Sequence, residues 1–328
     1  MRRPSRTAVF VTSGLSLAVV LVASSWITLP YYGLGPGPAR EVTPLISFDG
    51  KQRFEPSGKL VMTTVRVQRL TPVTALAAWL DPEITVAAEL LVYPPGLDPD
   101  EEERLSFSQM DQSKIDAAYV ALSRLTGYPE EHGTGALIRS TADRCPADGA
   151  LFPGDVVTAI DGEPIDSRAE ASRLIRRAAV GQALRFALDV DGVPEEAVFA
   201  RAPCVDGVDP LVGVTMLDTF PFPVQIASGD VGGPSAGLMW AIGLYELLTP
   251  GDLSGGRIIA GTGTIGLGGE VGGIGGIIDK VLGAEHAGAD VFLVPAANAE
   301  EVEGMDTGEM RVISVATFDE AIDALEAA

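Results

Sequence analysis

Residues 261–295 read GTGTIGLGGEVGGIGGIIDKVLGAEHAGADVFLVP, and the order of textures in this stretch decides the fold. A strand-like run, Arg257 to Thr262, enters a string of glycines. A helix is predicted over about Ile277 to Ala287, and a buried strand, Val291 to Val294, follows it. Upstream, Val224 to Ala227 reads as a strand and Ser235 to Leu248 as a helix opened by Pro234, with Gly251 just past its end. Downstream, a last helix is expected over Asp319 to Ala327. Strands and helices that alternate from Val208 onward imply an α/β domain.

Gly232-Gly-Pro-Ser-Ala-Gly237 is the sharpest local motif. It places Ser235 at the first turn of a helix, after glycines that let a substrate backbone approach and beside helix N–H groups that lack partners. Such donors can hold an oxyanion, so Gly233, Pro234 and Ala236 are the candidate backbone contacts. A serine at a helix start is also ordinary capping. A nucleophile needs a base. The two histidines, His132 and His286, suggest no triad, and Lys280 is the one lysine of the C-terminal half. Flanked by Ile277, Ile278, Val281 and Leu282, its ammonium would be desolvated toward a pKa of about 7–8, where an amine serves as general base. The bland alternative is a lysine snorkelling over an apolar helix. Gly261-Thr-Gly-Thr-Ile-Gly266 fits a dinucleotide fingerprint, but glycines rather than a helix follow it. Neither a cofactor nor a metal ion is expected.

These residues resemble a known family. GPSAG at 233–237 and the 261–295 stretch are similar to the proteolytic domain of Lon proteases, which use a Ser-Lys dyad. The resemblance implies Ser235 as nucleophile, Lys280 as base and Thr262 as the hydroxyl that supports the lysine. GKLVMTTVRV at 58–67, read as one strand, and the helix predicted over Ser106 to Leu125, with Met110, Ser113 and Ala117, look like the first strand and helix of the same domain. The family's acid three residues before the serine is Gly232 here, with Asp230 displaced by two. Thr264 stands in place of an acid near the threonine, and His286 falls one place off the family's histidine. No G-x-x-x-x-G-K-[ST] occurs, so activity without ATP is expected.

Between the two halves, 132–205 has a different grammar of short strands and tight turns. LFPGDVVTAIDGEPI at 151–165 resembles the central signature of PDZ domains. The resemblance implies a peptide groove between the strand at Gly135 to Ile138 and the helix at 168–179, with Gly133, Thr134 and Gly135 receiving a terminal carboxylate. A PDZ-shaped spacer that binds nothing is the alternative. Cys145 and Cys204 fall near the ends of this segment, and a disulfide and two buried thiols are both open.

At the N-terminus, Arg2, Arg3 and Arg6 precede Ala8 to Leu29, 22 residues without a charge. As a helix this run covers roughly 33 Å, enough to cross a bilayer. The arginines place residues 1–7 in the cytoplasm and the rest outside; a cleaved signal peptide is the rival reading. Residues 30–44 are expected to be a turn-rich linker. The organisation expected is therefore an α/β, Lon-type α+β proteolytic domain in two parts, 45–131 and 206–328, with an inserted β-rich PDZ domain and one N-terminal transmembrane helix. That plan is similar to the YlbL-like bacterial membrane proteases. Its expected partners are protein or peptide substrates and the cell membrane, with assembly of several copies an open possibility by analogy to ring-forming Lon relatives. A net charge of -22 argues against nucleic acid. A non-catalytic PDZ adaptor on a protease-like fold is the alternative function.

Overall fold

In the computed structural model, which describes residues 24, 26–93, 99–204 and 212–327, the central sheet draws on both halves of the chain. Its strands run Arg311–Val315, Val291–Pro295, Ile258–Gly261, Lys59–Met62, Arg40–Glu41. The first four are parallel and Arg40–Glu41 closes the edge antiparallel. Leu60, Met62, Ile259, Val291 and Leu293 join one apolar cluster, while Val61, Ala260, Phe292 and Val294 join another. Alternation of period two with both sets apolar marks a parallel sheet buried on both faces. Helix Gly237–Leu248, apolar on nearly all sides, contributes to the first cluster together with helix Pro99–Leu125; helix Ile277–His286 contributes Ile277, Val281 and Ala284 to the second.

Several expectations need correction. GKLVMTTVRV is two strands, Lys59–Met62 and Val65–Arg69, in different sheets. The chain breaks at Thr63-Thr64, where Thr64 Oγ1 donates to the Pro38 carbonyl (2.9 Å). The stretch at 30–44 is not a loose linker: strand Tyr31–Pro36 is the middle of a three-stranded sheet between Val65–Arg69 and Thr85–Ala88, and Tyr32 is buried. The helix expected from Ser106 begins at Pro99; acidic side chains at its start are favoured by the helix dipole although they carry no apolar periodicity.

The inserted unit is a sheet in the order Val193–Ala200, Ala183–Val190, Val156–Ile160, Ala136–Thr141, Val214–Asp218, over a core that includes Ile138, Leu151, Phe186 and, from helix Arg168–Arg177, Leu174 and Ile175. Strand Val214–Asp218 lies beyond the boundary expected at residue 205, and it covers the side of Ala136–Thr141 where a peptide was expected to add. Ala136–Thr141 is paired along its length with Val214–Asp218 and, at Ala136 and Leu137, with Val156–Ile160 as well. The Gly133 N–H donates to the Thr219 carbonyl (3.1 Å) and that of Gly135 to the Asp166 carbonyl (3.2 Å), so neither is available for a carboxylate. Val193–Ala200 and Val214–Asp218 are the two edge strands of the sheet; the second lies beside helix Arg168–Arg177, its Asp218 carboxylate accepting from the backbone N–H and the Nε of Arg168 (2.8 and 3.2 Å). Cys145 and Cys204 form a disulfide beneath Gly213, where φ is +79° and a β-carbon would lie 2.1 Å from the Cys145 Cβ. Only glycine fits there, and the disulfide thus lies where the chain turns into the edge strand.

Of the apolar run Ala8 to Leu29, residues 8–23 and 25 lie outside the described residues. Among the described residues no helix is long and apolar enough to cross a membrane.

Candidate active site

Ser235, Thr262 and Lys280 come from three separate segments, and the sheet brings them together. Thr262 directly follows strand Ile258–Gly261, its backbone N–H donating to the Leu293 carbonyl (3.2 Å). Ser235 lies two residues before helix Gly237–Leu248, whose first turn starts later than the sequence indicates. Lys280 sits on the buried face of helix Ile277–His286 with Ile277, Val281 and Ala284, the i, i+3, i+4, i+7 stripe of a core-facing helix. Ile278, expected on that face, is 40% exposed.

Lys280 Nζ donates to Ser235 Oγ (2.6 Å) and to Thr262 Oγ1 (3.0 Å). Thr262 Oγ1 in turn donates to the Ser235 carbonyl (3.0 Å), which also accepts the Gly263 N–H (2.8 Å). A threonine hydroxyl has a single proton. Because that proton is committed to the Ser235 carbonyl, Thr262 can only accept from the lysine, and the direction of the network is fixed. Thr262 is 0% and Lys280 4% exposed; burial brings the Lys280 pKa down to about 8.

The loop that carries Ser235 is held by helix Pro99–Leu125. The Gly233 N–H donates to the Ser106 carbonyl (2.8 Å), and Ser113 Oγ donates to the Pro234 carbonyl (2.9 Å). A β-carbon on Gly232 would lie 2.3 Å from Ser106 Oγ, so an acid at that position, as in the family pattern, would require the Ser106 hydroxyl to turn away. Gly233, whose N–H is used, and Pro234, which has none, therefore position the loop rather than offer donors. Among the described residues neither the Ser235 nor the Ala236 N–H donates to a protein acceptor. Ser113 was legible only by resemblance, and Ser106 not at all; their spacing of seven, two turns on one helix face, is the sole signal.

The remaining candidates lie elsewhere. Asp230 is paired with Arg40 (2.7 Å), which lowers its pKa, and its side chain is 82% exposed. His286 meets Glu83 (3.3 Å) and the His132 ring contacts the Gly133 carbonyl (2.7 Å). Gly261 to Gly266 ends one strand and opens another, Thr264–Ile265, so no helix follows the glycines. Among the described residues no three His, Cys, Asp or Glu side chains gather where a metal ion could sit.

Ser235, buried Lys280 and Thr262 thus meet beyond the end of Ile258–Gly261, the central strand of the sheet. Residues 219–327 match the Lon protease (S16) C-terminal proteolytic domain and residues 137–189 match the PDZ domain. The chain thus carries a Lon-type S16 proteolytic domain and a PDZ domain. It is similar to Lon protease 2 of Herpetosiphon aurantiacus, 38% identical over 94 residues, 28% of this chain and 11% of the relative. It is also similar to Lon protease 2 of Bacillus subtilis, 33% identical over 93 residues, 28% of this chain and 16% of the relative. The chain thus spans only a small part of these relatives' length. The PDZ domain of an SdrC-like protein from Listeria monocytogenes aligns at 27% identity over 25% of this chain and 87% of that structure, with a TM-score of 0.23.

Proposed function

We propose that the chain is a membrane-anchored serine endopeptidase that cleaves extracytoplasmic or membrane proteins, with Ser235 as nucleophile and Lys280 as base. The observation that carries this reading is an amine in apolar surroundings 2.6 Å from a serine hydroxyl. When Lys280 is neutral the contact reverses: Thr262 accepts an Nζ–H, and the nitrogen lone pair accepts the Ser235 proton. Oγ attacks the peptide carbonyl, and the N–H groups of Ser235 and Ala236 receive the oxyanion. The ammonium protonates the leaving amine. A water, its proton taken by Lys280, then releases the acyl group and restores the serine.

The proteolytic domain would be discontinuous, with Lys59–Met62 and Pro99–Leu125 as its first part. No P-loop motif stands in these 328 residues, so cleavage would need no motor within the chain. Extended polypeptides would pair with the free edge of Val214–Asp218 and be delivered to Ser235. The arginines before Ala8 support an N-terminus in the cytoplasm, and the Cys145–Cys204 disulfide supports an oxidising compartment for the rest.

Gelatin zymography of the full chain against its Ser235→Ala and Lys280→Ala variants tests the reading: activity is expected in the first alone. Cleavage retained by either variant would overturn the dyad. Absence of cleavage by all three, with peptide binding intact, would point to an adaptor.

A further inference from the structure

Helix Pro72–Leu80, PVTALAAWL, contains no charged residue and is packed in reverse. Ala78 is its one buried residue (3% exposed), while Val73, Leu76, Trp79 and Leu80 share the opposite arc and are exposed, Trp79 by 78% and Leu80 by 70%. A helix facing water shows the opposite polarity. The short helix Glu89–Val92 adds Leu90 (68%) and Leu91 (81%). Eleven of the sixteen exposed large apolar side chains among the described residues fall between Trp26 and Leu91. Apolar surface so concentrated marks an interaction site.

The backbone indicates what covers it. The Leu29 N–H donates to the Leu70 carbonyl (2.8 Å), the Leu70 N–H to the Tyr31 carbonyl (2.9 Å) and the Glu89 N–H to the Pro30 carbonyl (3.0 Å). Leu70 is followed by Thr71, the N-cap of the exposed helix, and Leu29 is the last residue of the uncharged run from Ala8. The apolar run therefore joins the fold where the outward-facing helix begins, and Trp26 (84%) and Ile27 (57%) at the junction are exposed as well.

We propose that this face rests in the interfacial layer of a lipid bilayer, with helix Pro72–Leu80 lying on the membrane beside the point where the chain enters it. The inference rests on the reading of Ala8 to Leu29 as a membrane anchor. Nine residues make about 13 Å of helix against a hydrocarbon core of about 30 Å, so the helix lies in the surface and does not span it. Trp79 suits that depth. With no basic residue on the helix, attachment works through apolar burial and is insensitive to salt and to anionic lipid. Two contacts, the span and the helix, would hold the body at a fixed tilt.

The test uses the full chain in phosphatidylcholine nanodiscs with or without bromine-labelled acyl chains. Of the three tryptophans, Trp240 is wholly buried and gives a constant background, so Trp26→Phe reports on Trp79 and Trp79→Phe reports on Trp26. Bromolipid is expected to quench both to a similar extent. Leu76→Asp with Leu80→Asp should abolish quenching at Trp79 and leave Trp26 quenched, with the far-ultraviolet dichroism unchanged. Quenching of Trp26 alone overturns the proposal and leaves the anchor standing; quenching of neither overturns both. Trp79 shielded from bromolipid and from aqueous iodide alike would mean that a second copy or another protein covers the face, and also overturns it.

Discussion

Arg139 of the PDZ strand grips Asp116 of helix Pro99–Leu125 with two hydrogen bonds, Nε to Oδ1 at 2.6 Å and Nη2 to Oδ2 at 2.8 Å, and the Asp116 side chain is 5% exposed. Ile115, Leu137 and Leu217 pack into one small cluster at the same junction, and three residues before Asp116, Ser113 holds the Pro234 carbonyl. The helix that fixes the serine loop is thus the helix on which the PDZ unit sits.

Removing one partner of a buried pair strands the other charge. Arg139→Ala should lower stability by about 3 kcal/mol, read as the shift of the urea midpoint, whereas Asp116→Leu with Arg139→Met should cost much less. Equal losses in the two variants would mean that packing, not the stranded carboxylate, sets the effect.

Thr262→Val removes the acceptor that orients the lysine. A hydrogen bond to a charged group contributes about 1.5–3 kcal/mol, so a fall of about 10- to 100-fold in cleavage rate is expected. Losing a partner of the ammonium also lowers the Lys280 pKa further, moving the pH midpoint of activity down. Thr262→Ser should restore both.

Lys280 should destabilise the fold it serves. Its pKa is about 8 in the folded protein and about 10.4 unfolded, so between these values the unfolded chain binds more protons. Stability therefore rises as pH rises from about 8 to about 10.4, with the full penalty present below pH 8. Lys280→Met should raise stability at pH 7 by about 1–3 kcal/mol while abolishing activity, and thermal unfolding across this pH range checks the sign.

Cys145→Ser with Cys204→Ser releases a loop closed across 59 positions, expected to cost about 4 kcal/mol in the chain-entropy model. Denaturation of the oxidised and dithiothreitol-treated protein measures it.

What the sequence made legible follows from where the signal is local. Val291 to Val294 is apolar at every position because both sheet faces are covered, and Ile277, Val281 and Ala284 keep helical spacing, so these elements are visible one at a time. Pairing between distant segments is not visible. Thr63 and Thr64 suit a strand, so nothing local marks the point where the chain changes sheets. Val214–Asp218 joins a strand more than seventy residues upstream, and Tyr31–Pro36 is rich in glycine and proline yet is paired on both sides. Helix Pro72–Leu80 escaped because its large apolar side chains face outward, the inverse of the pattern that periodicity detects. At the site, the order of the Ser235, Thr262 and Lys280 segments was readable; the use of the Gly233 N–H by Ser106 was not.

The most direct test of the dyad needs no knowledge of the substrate: the rate at which a fluorophosphonate labels Ser235, followed by mass spectrometry from pH 6 to pH 10. The account predicts labelling confined to Ser235, rising with pH through a midpoint near 8 and lost in Lys280→Met. Labelling of Ser235 that is independent of pH, or that survives in Lys280→Met, would contradict it.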